Sequence, residues 1–272
     1  MRKLITLLGL LFLICQAQIT VAEEIKILTY NVLADKEHAE QRLPKLFQLM
    51  EESDADIIAL QEVAPWFMEK MFKYAWVKNY HFPIKGGMII SPHGLLIMSK
   101  QPITKIEYGH LESQQGRDFL TVETKINSEI FTISTCHLES FLESGPVRAK
   151  QMKFIFDQLK EKENALFLGD FNFGDGEAEE KTIPTMYKDC WSITNPKQPG
   201  FTWNREISPM AKQGSFTNEK SRRLDRVLLK SDDFSPIKST IIGNTPITNS
   251  KTLFPSDHFG LLCIIEKRND KK

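Results

Sequence analysis

Cysteine is scarce: four residues in 272, at Cys15, Cys136, Cys190 and Cys263, and none in a Cys-x-x-Cys pair. This argues against a disulfide scaffold and against a cysteine-built zinc site. Net charge is missing as well, with 35 Lys+Arg against 35 Asp+Glu. The chain therefore has no overall field of the kind that binds nucleic acid non-specifically, and only a local basic groove could serve that purpose. Repeats, low-complexity tracts, Pro/Ser-rich linkers and Asn-x-Ser/Thr sequons are all absent. What is present is ordinary globular composition, 41% hydrophobic and 26% charged, which excludes a disordered, collagen-like or polytopic membrane chain. A chain of this length supports a single large core.

The N-terminus has a pattern of its own. Met1-Arg2-Lys3 is followed by an uncharged apolar run of 12 residues, Leu4 to Cys15, and then by small and polar residues up to Ala22. That is the layout of a secretory signal peptide, and the run is short for a bilayer span. Cleavage is expected after Ala22, with Ala17 as a second option and an uncleaved anchor as the alternative. Loss of Arg2 and Lys3 takes Lys+Arg from 35 to 33 against 35 Asp+Glu, a net charge of −2. The mature chain is then secreted or periplasmic, with no stable membrane span, and is expected to be monomeric. Residues 23–267 are expected to form one catalytic domain, with 268–272 as a frayed tail.

Alternating apolar residues predict a strand over 24–30, and shorter apolar runs predict strands over 56–61, 94–99, 119–125, 129–137, 165–169, 224–230 and 259–266. Leu43, Leu46, Phe47 and Met50 fall at helical spacing, with Pro44 suited to a first turn. A helix is expected over 65–74, where Trp66, Phe67, Met68, Met71, Phe72 and Tyr74, with Trp76 just beyond, either pack on a sheet or touch a membrane. Another is expected over about 146–162, capped by Ser144, with Met152, Ile155, Phe156 and Leu159 on one face.

Polar residues recur at the C-terminal ends of these strands: Asn31, Glu62, His137, Asp170, Asn172 and Asp257-His258. Strand ends bring side chains to the rim of a sheet, so several such rims can converge on one cleft. Singly, each residue has a plainer reading. Asn31 suits a turn, Glu62 a helix cap, His137 a core histidine, and Asp225 an ion pair with Arg222, Arg223 or Arg226.

The ensemble is more specific than its parts. Thr29-Tyr-Asn31, Leu60-Gln-Glu-Val63, His137-Leu-Glu-Ser140, Gly169-Asp-Phe-Asn172, Phe201-Thr-Trp203, Arg223-Leu-Asp-Arg226 and Ser256-Asp-His258 occur in this order. The pattern resembles the endonuclease/exonuclease/phosphatase superfamily over about residues 25–265. The resemblance implies a four-layered α/β sandwich of two packed, mostly antiparallel sheets flanked by helices. It also implies metal-dependent hydrolysis of a phosphodiester, in nucleic acid or in another phosphodiester substrate. Such a reaction needs a water nucleophile, an acid for the leaving oxygen and neutralisation of the phosphorane-like charge. The available ligands are hard oxygens, which suit Mg²⁺ with Mn²⁺ as a substitute. Glu62 is the expected metal carboxylate, supported by the amide oxygen of Asn31, and Asp257 is expected near the metal. By resemblance, His258 contacts the phosphate or the water, Asp225 fixes its tautomer, and Asp170 is the base or acid. Asn172 and His137 are then donors to the phosphate oxygens.

Within the superfamily, His137-Leu-Glu-Ser140 is most similar to the 5′-tyrosyl-DNA phosphodiesterases. That similarity implies substrate contacts from Ser140, from Trp203 as a stacking wall, and from Arg226. Two positions depart from that branch: Leu33 stands where it has an Asp, and Gly174 where it has an Arg. Tyr30-Asn-Val-Leu-Ala-Asp35 is closer to the deadenylases. Sphingomyelinase-like and inositol-phosphate phosphatase-like hydrolysis is the alternative.

Overall fold

The computed structural model of the protein describes residues 23–268. The expected signal peptide, 1–22, and residues 269–272 lie outside the described residues. In chain order the first half runs β1 (Glu24–Asn31), α1 (Ala39–Ser53), β2 (Ile57–Gln61), α2 (Pro65–Met71), β3 (Ile84–Lys85), β4 (Met88–Ile89), β5 (Leu96–Ser99), β6 (Ile103–His110) and β7 (Asp118–Ile126). The second half runs β8 (Glu129–His137), α3 (Gly145–Leu159), β9 (Asn164–Asp170), β10 (Lys188–Asp189), α4 (Cys190–Thr194), α5 (Pro209–Gly214), β11 (Asp225–Lys230), β12 (Phe234–Ile242) and β13 (Gly260–Lys267).

Two sheets form the centre. One has five strands in the order β12-β13-β1-β2-β5, the other six in the order β10-β11-β9-β8-β7-β6. Only β1/β2 and β8/β9 pair in parallel within these sheets. Strand alternation explains the layering. Along β1, Ile25 and Ile27 enter the core between the sheets, whereas Leu28 and Tyr30 join Leu43, Leu46, Phe47 and Met50 of α1 on the outer face. Along β9, Leu166 and Leu168 face inward while Ala165 and Phe167 pack under Met152, Ile155, Phe156 and Leu159 of α3. Strands buried on both faces need apolar residues at every position, hence the near-continuous apolar runs. Helix, sheet, sheet and helix make the expected four-layered α/β sandwich.

Several local expectations are corrected. The first helix begins at Ala39, so Pro44 lies inside it rather than in its first turn. The carbonyl that Pro44 leaves without a partner belongs to Glu40, which is exposed to water. Ser144 precedes α3 but makes no side-chain capping bond. Phe67, Met71 and Trp76 are buried against the first sheet, so this aromatic segment packs rather than forming a surface patch, though Phe72 remains exposed. Arg268 is tied to the fold, donating from Nε to Ser235 Oγ at 2.6 Å, so it is not part of a frayed tail. Strands β6 and β12 were not expected. Both lie at sheet edges, and β12 carries Pro236 at a register shift, which breaks the strand pattern. Among the described residues no helix is long and apolar enough to cross a membrane.

Candidate active site

Register decides which side chains meet. Asn31 lies opposite Gln61 in the parallel β1/β2 pair, so Asn31 and Glu62 leave the sheet together. His137 lies opposite Asp170 in the parallel β8/β9 pair, and β11 begins with Asp225 opposite Asp170. His258 stands just before β13, the antiparallel neighbour of β1. Face-to-face packing of the sheets brings these positions to one rim. There Glu62, His137, Asp170, Asn172, Asp257 and His258 line a cleft of about 210 Å³.

Asp170 is the hub. Its Oδ2 accepts from Asn31 Nδ2 at 3.1 Å and lies 3.4 Å from His137 Nε2 and 3.6 Å from His258 Nε2. Its Oδ1 accepts the backbone N–H of Asn172 at 3.0 Å. His258 is held from behind, with Nδ1 2.8 Å from Asp225 Oδ2. Backbone strain helps aim the groups: Glu62 sits at φ 61° and Asn172 at φ 54°. Left-handed backbone is costly for Glu and tolerated by Asn, and it concentrates at functional sites. Glu62 is secured by Asn31 Nδ2 at 2.9 Å and by the Ala34 N–H at 2.9 Å.

The two histidines are driven to opposite states. Burial disfavours charge on His258, but Asp225 and then Asp170 outweigh it and raise its pKa well above the ordinary value. His137 is pushed down to about 4, chiefly by burial, with the nearby Arg117 adding to the shift. Burial opposes ionisation of Asp170 too, yet His258, His137, Asn31 and the Asn172 N–H hold its pKa low. At neutral pH the site therefore contains an imidazolium donor, a neutral imidazole and a carboxylate within one cluster. Paired groups with pKa values pushed apart are what acid–base division of labour requires.

The model of the endonuclease/exonuclease/phosphatase family matches residues 28–258 of this sequence. The chain belongs to that family. Among curated proteins it is similar to tyrosyl-DNA phosphodiesterase 2 of Rattus norvegicus, at 26% identity over 220 residues, 77% of this chain and 58% of that protein. The Homo sapiens protein of that name is 25% identical over 228 residues, covering 78% of this chain and 59% of its own. The chain thus spans a little over half the length of these relatives. Among solved structures, TDP2 of Danio rerio complexed with single strand DNA product superposes with a TM-score of 0.75 at 22% identity, covering 89% of this chain and 98% of that one. A family protein from Bacteroides thetaiotaomicron gives a TM-score of 0.70 at 16% identity, covering 91% and 99%. These structures share the fold.

The family implies a divalent metal, and the donor set fits one. Glu62 and Asp257 offer hard oxygens at the cleft, and the Glu62 side chain is 29% exposed, which leaves room for the waters Mg²⁺ retains. Negative charge is in surplus: Asp257 is pushed up to about 6 by burial and by the charge of Glu62, although His258 opposes this. Asp225 Oδ1 is buried with no hydrogen-bond partner. Asp170, Asp225 and His258 form a second group with ligand atoms within 4.8 Å of one another, but His258 Nδ1 and Asp225 Oδ2 are already taken up with each other at 2.8 Å. Glu62 and Asp257 are the better candidates.

Two expected roles change and a third is extended. Asn31 Oδ1 accepts the Leu33 N–H at 3.1 Å, which leaves its second lone pair, and the NH₂ group bridges Glu62 and Asp170. Asn31 thereby orients the two carboxylates. Trp203 borders the cleft but is only 6% exposed, with its ring 4.8 Å from that of His258. Little of the ring is left to stack on a base. Arg226 is fully buried under Phe173 and paired with Asp189 and Asp175, so it braces the loop after β9 and does not reach substrate. Ser140 does line the cleft, its hydroxyl held by Gln115 Nε2 at 2.8 Å.

One residue was missed. Arg117 is 8% exposed, lies within electrostatic reach of Asp170, Glu62 and Glu139, and has Nε buried without a partner. It immediately precedes β7, which runs antiparallel to β8. The N-terminal end of an antiparallel strand reaches the same rim as the C-terminal end of its neighbour. A search confined to C-terminal strand ends passes over it.

Proposed function

We propose that the protein is an exported, Mg²⁺-dependent phosphodiesterase acting on nucleic acid, with a tyrosyl-type 5′ phosphodiester as its preferred substrate. The observation that carries this reading is the cluster around Asp170, with His258 charged, His137 neutral and Asn172 aimed into one cleft. Family membership and the similarity to tyrosyl-DNA phosphodiesterase 2 support the substrate class. The apolar run at Leu4–Cys15 supports export.

The chain's own groups supply the chemistry. Asp170, ionised and bordered by both imidazoles, orients the attacking water and takes its proton. His258, charged and braced by Asp225, donates to a phosphate oxygen as charge develops there. Asn172 spends one amide hydrogen on Leu138 O at 2.9 Å and keeps the other for the phosphate. Arg117 adds fixed positive charge from behind Asp170. A divalent ion held by Glu62 and Asp257 would neutralise charge on the phosphorane-like transition state and on the leaving oxygen, with Mn²⁺ able to substitute.

Incubation of the mature protein with Mg²⁺ against a substrate panel tests this. The panel comprises plasmid DNA, single-stranded DNA, RNA, a 5′-phosphotyrosyl oligonucleotide and sphingomyelin. The tyrosyl oligonucleotide should be cut fastest. Cleavage of sphingomyelin alone would overturn the nucleic-acid reading.

A further inference from the structure

Between β6 and β7 the loop 111–117 is built on Glu139, a fully buried carboxylate in the segment that follows His137. Glu139 Oε2 accepts from Ser113 Oγ at 2.6 Å, and Oε1 accepts the Gln114 N–H at 3.1 Å. Ser113 Oγ in turn accepts the N–H of Gln115 and that of Arg117, each at 3.0 Å. From the other side, Gln151 of α3 accepts the Glu139 N–H at 3.1 Å and donates to the Glu112 carbonyl at 2.9 Å. Two loop donors, a hydroxyl and a backbone N–H, thus take the two oxygens of one buried acid. The loop is held along its length, and it presents the side chain of Gln115 to Ser140, which lines the catalytic cleft.

Gln115 meets Ser140 with both ends of its amide. One end lies 2.8 Å from the Ser140 backbone nitrogen, the other 2.8 Å from Ser140 Oγ. A backbone N–H only donates, so the first end is Oε1 and the second is Nε2, which donates to Oγ. Arg117 Nη2, also a donor, lies 3.4 Å from Oε1 and requires the same orientation. The hydroxyl stands 3.1 Å from Oε1 as well, but both lone pairs of that oxygen are engaged, by the Ser140 N–H and by Arg117. Ser140 Oγ is therefore an acceptor toward Gln115, and its hydrogen is left for an acceptor in the cleft.

We propose that Gln115 is a positioning residue for hydrolysis: it fixes the Ser140 hydroxyl as a donor to a non-bridging oxygen of the scissile phosphate, and Glu139 fixes Gln115. This rests on the phosphodiesterase reading above and deepens it. A serine hydroxyl without such a partner samples three side-chain rotamers and several hydrogen directions, and ordering it on binding costs free energy. With the amide in place the donor is set before the phosphate arrives, which is what stabilisation of developing charge requires. His137-Leu-Glu-Ser140 then carries two linked parts, the donor Ser140 and, one residue earlier, the acid that holds its positioner.

The test is kcat/KM and Tm for Ser140→Ala, Gln115→Met, Gln115→Glu and the double variant Gln115→Met, Ser140→Ala, on the phosphodiester of the panel that the native protein cuts fastest. Ser140→Ala should lower kcat/KM by about 10- to 100-fold, the range for losing a hydrogen bond to a charged group. Methionine keeps the length of glutamine but has neither hydrogen-bonding end. It should cost about tenfold in the native background and less than about twofold once Ser140 is alanine, because it acts through that hydroxyl. Glutamate still accepts the Ser140 N–H but turns a second oxygen to Oγ, so the hydroxyl donates to it and is withdrawn from the phosphate. Gln115→Glu should therefore be no more active than Ser140→Ala. Equal losses from Gln115→Met in both backgrounds, with a lowered Tm, make Gln115 a packing residue and overturn the proposal. Near-native kcat/KM of Ser140→Ala or of Gln115→Met overturns it too. If the native protein cuts no phosphodiester of the panel, the functional reading fails and the positioning role with it. A phosphodiester that is cut without coupling between Gln115 and Ser140 sinks only the positioning role.

Discussion

Asp225→Asn isolates the part of the site that acts through another side chain. Asp225 is fully buried, and its Oδ2 lies 2.8 Å from His258 Nδ1. At about 4 Å between charge centres and an effective dielectric of about 20, such a pair is worth roughly 4 kcal/mol of attraction. That attraction keeps His258 charged against burial. Asparagine keeps the shape and a hydrogen bond but gives up the charge, so His258 is left a neutral and weaker donor. We expect kcat/KM for a phosphodiester to fall by roughly 10²- to 10³-fold, in the range for losing a positioned acid–base or charge-stabilising group. The assay is a double-mutant cycle with His258→Ala. If Asp225 acts only through His258, the double variant turns over no more slowly than His258→Ala alone. Additive losses, or near-native turnover of Asp225→Asn, would refute the assignment.

Arg117→Ala should lower turnover about 10²-fold, and lysine should restore it only in part, because a point charge does not replace a planar guanidinium. Unchanged turnover with a lowered Tm would make Arg117 a packing residue. Trp203→Ala should slow hydrolysis of an oligonucleotide and of a small aryl phosphodiester equally and lower the Tm, since it unseats His258 and removes roughly 3 kcal/mol of packing. A rise in KM confined to the oligonucleotide would restore the stacking role. Asp175→Asn should cost about 1–2 kcal/mol at neutral pH, discounted because the Asp175 side chain is 47% exposed although Arg223 and Arg226 are buried. Burial opposes ionisation of Asp175, but Arg223 and Arg226 prevail and depress its pKa. The stabilisation is therefore fully present above the unfolded value of about 3.9 and is lost as pH falls through the folded pKa, where the stabilities of variant and native protein should converge. A difference that persists in acid would show that the effect is not the charge.

The sequence announced the site through polar residues at the ends of apolar strands, because a buried strand tolerates Asn31, His137 or Asp170 only where it reaches a rim. It did not announce hydrogen-bond direction. Nothing in Thr29-Tyr-Asn31 says that the amide oxygen accepts the Leu33 N–H. Nor did it give facing: Asp225 and Arg226 are neighbours in β11, and alternation sends one to the cleft and the other beneath Phe173. The edge strands β6 and β12 escaped because a half-solvated strand, or one holding Pro236, lacks a continuous apolar run. The layered sandwich followed from the family resemblance, and the central strands were visible because burial on both faces leaves a plain apolar signature.

The central claim is that hydrolysis of a phosphodiester depends on Asp170 and on a divalent ion in one cleft. The direct measurement is turnover of a 5′-phosphotyrosyl oligonucleotide by the native protein in Mg²⁺, by the same protein in excess chelator, and by Asp170→Asn in Mg²⁺. The account predicts turnover in the first condition, loss in chelator that is reversed by added Mg²⁺ or Mn²⁺, and a loss of about 10²-fold or more in the variant with its Tm little changed. Full turnover in chelator, or near-native turnover by Asp170→Asn, would contradict it.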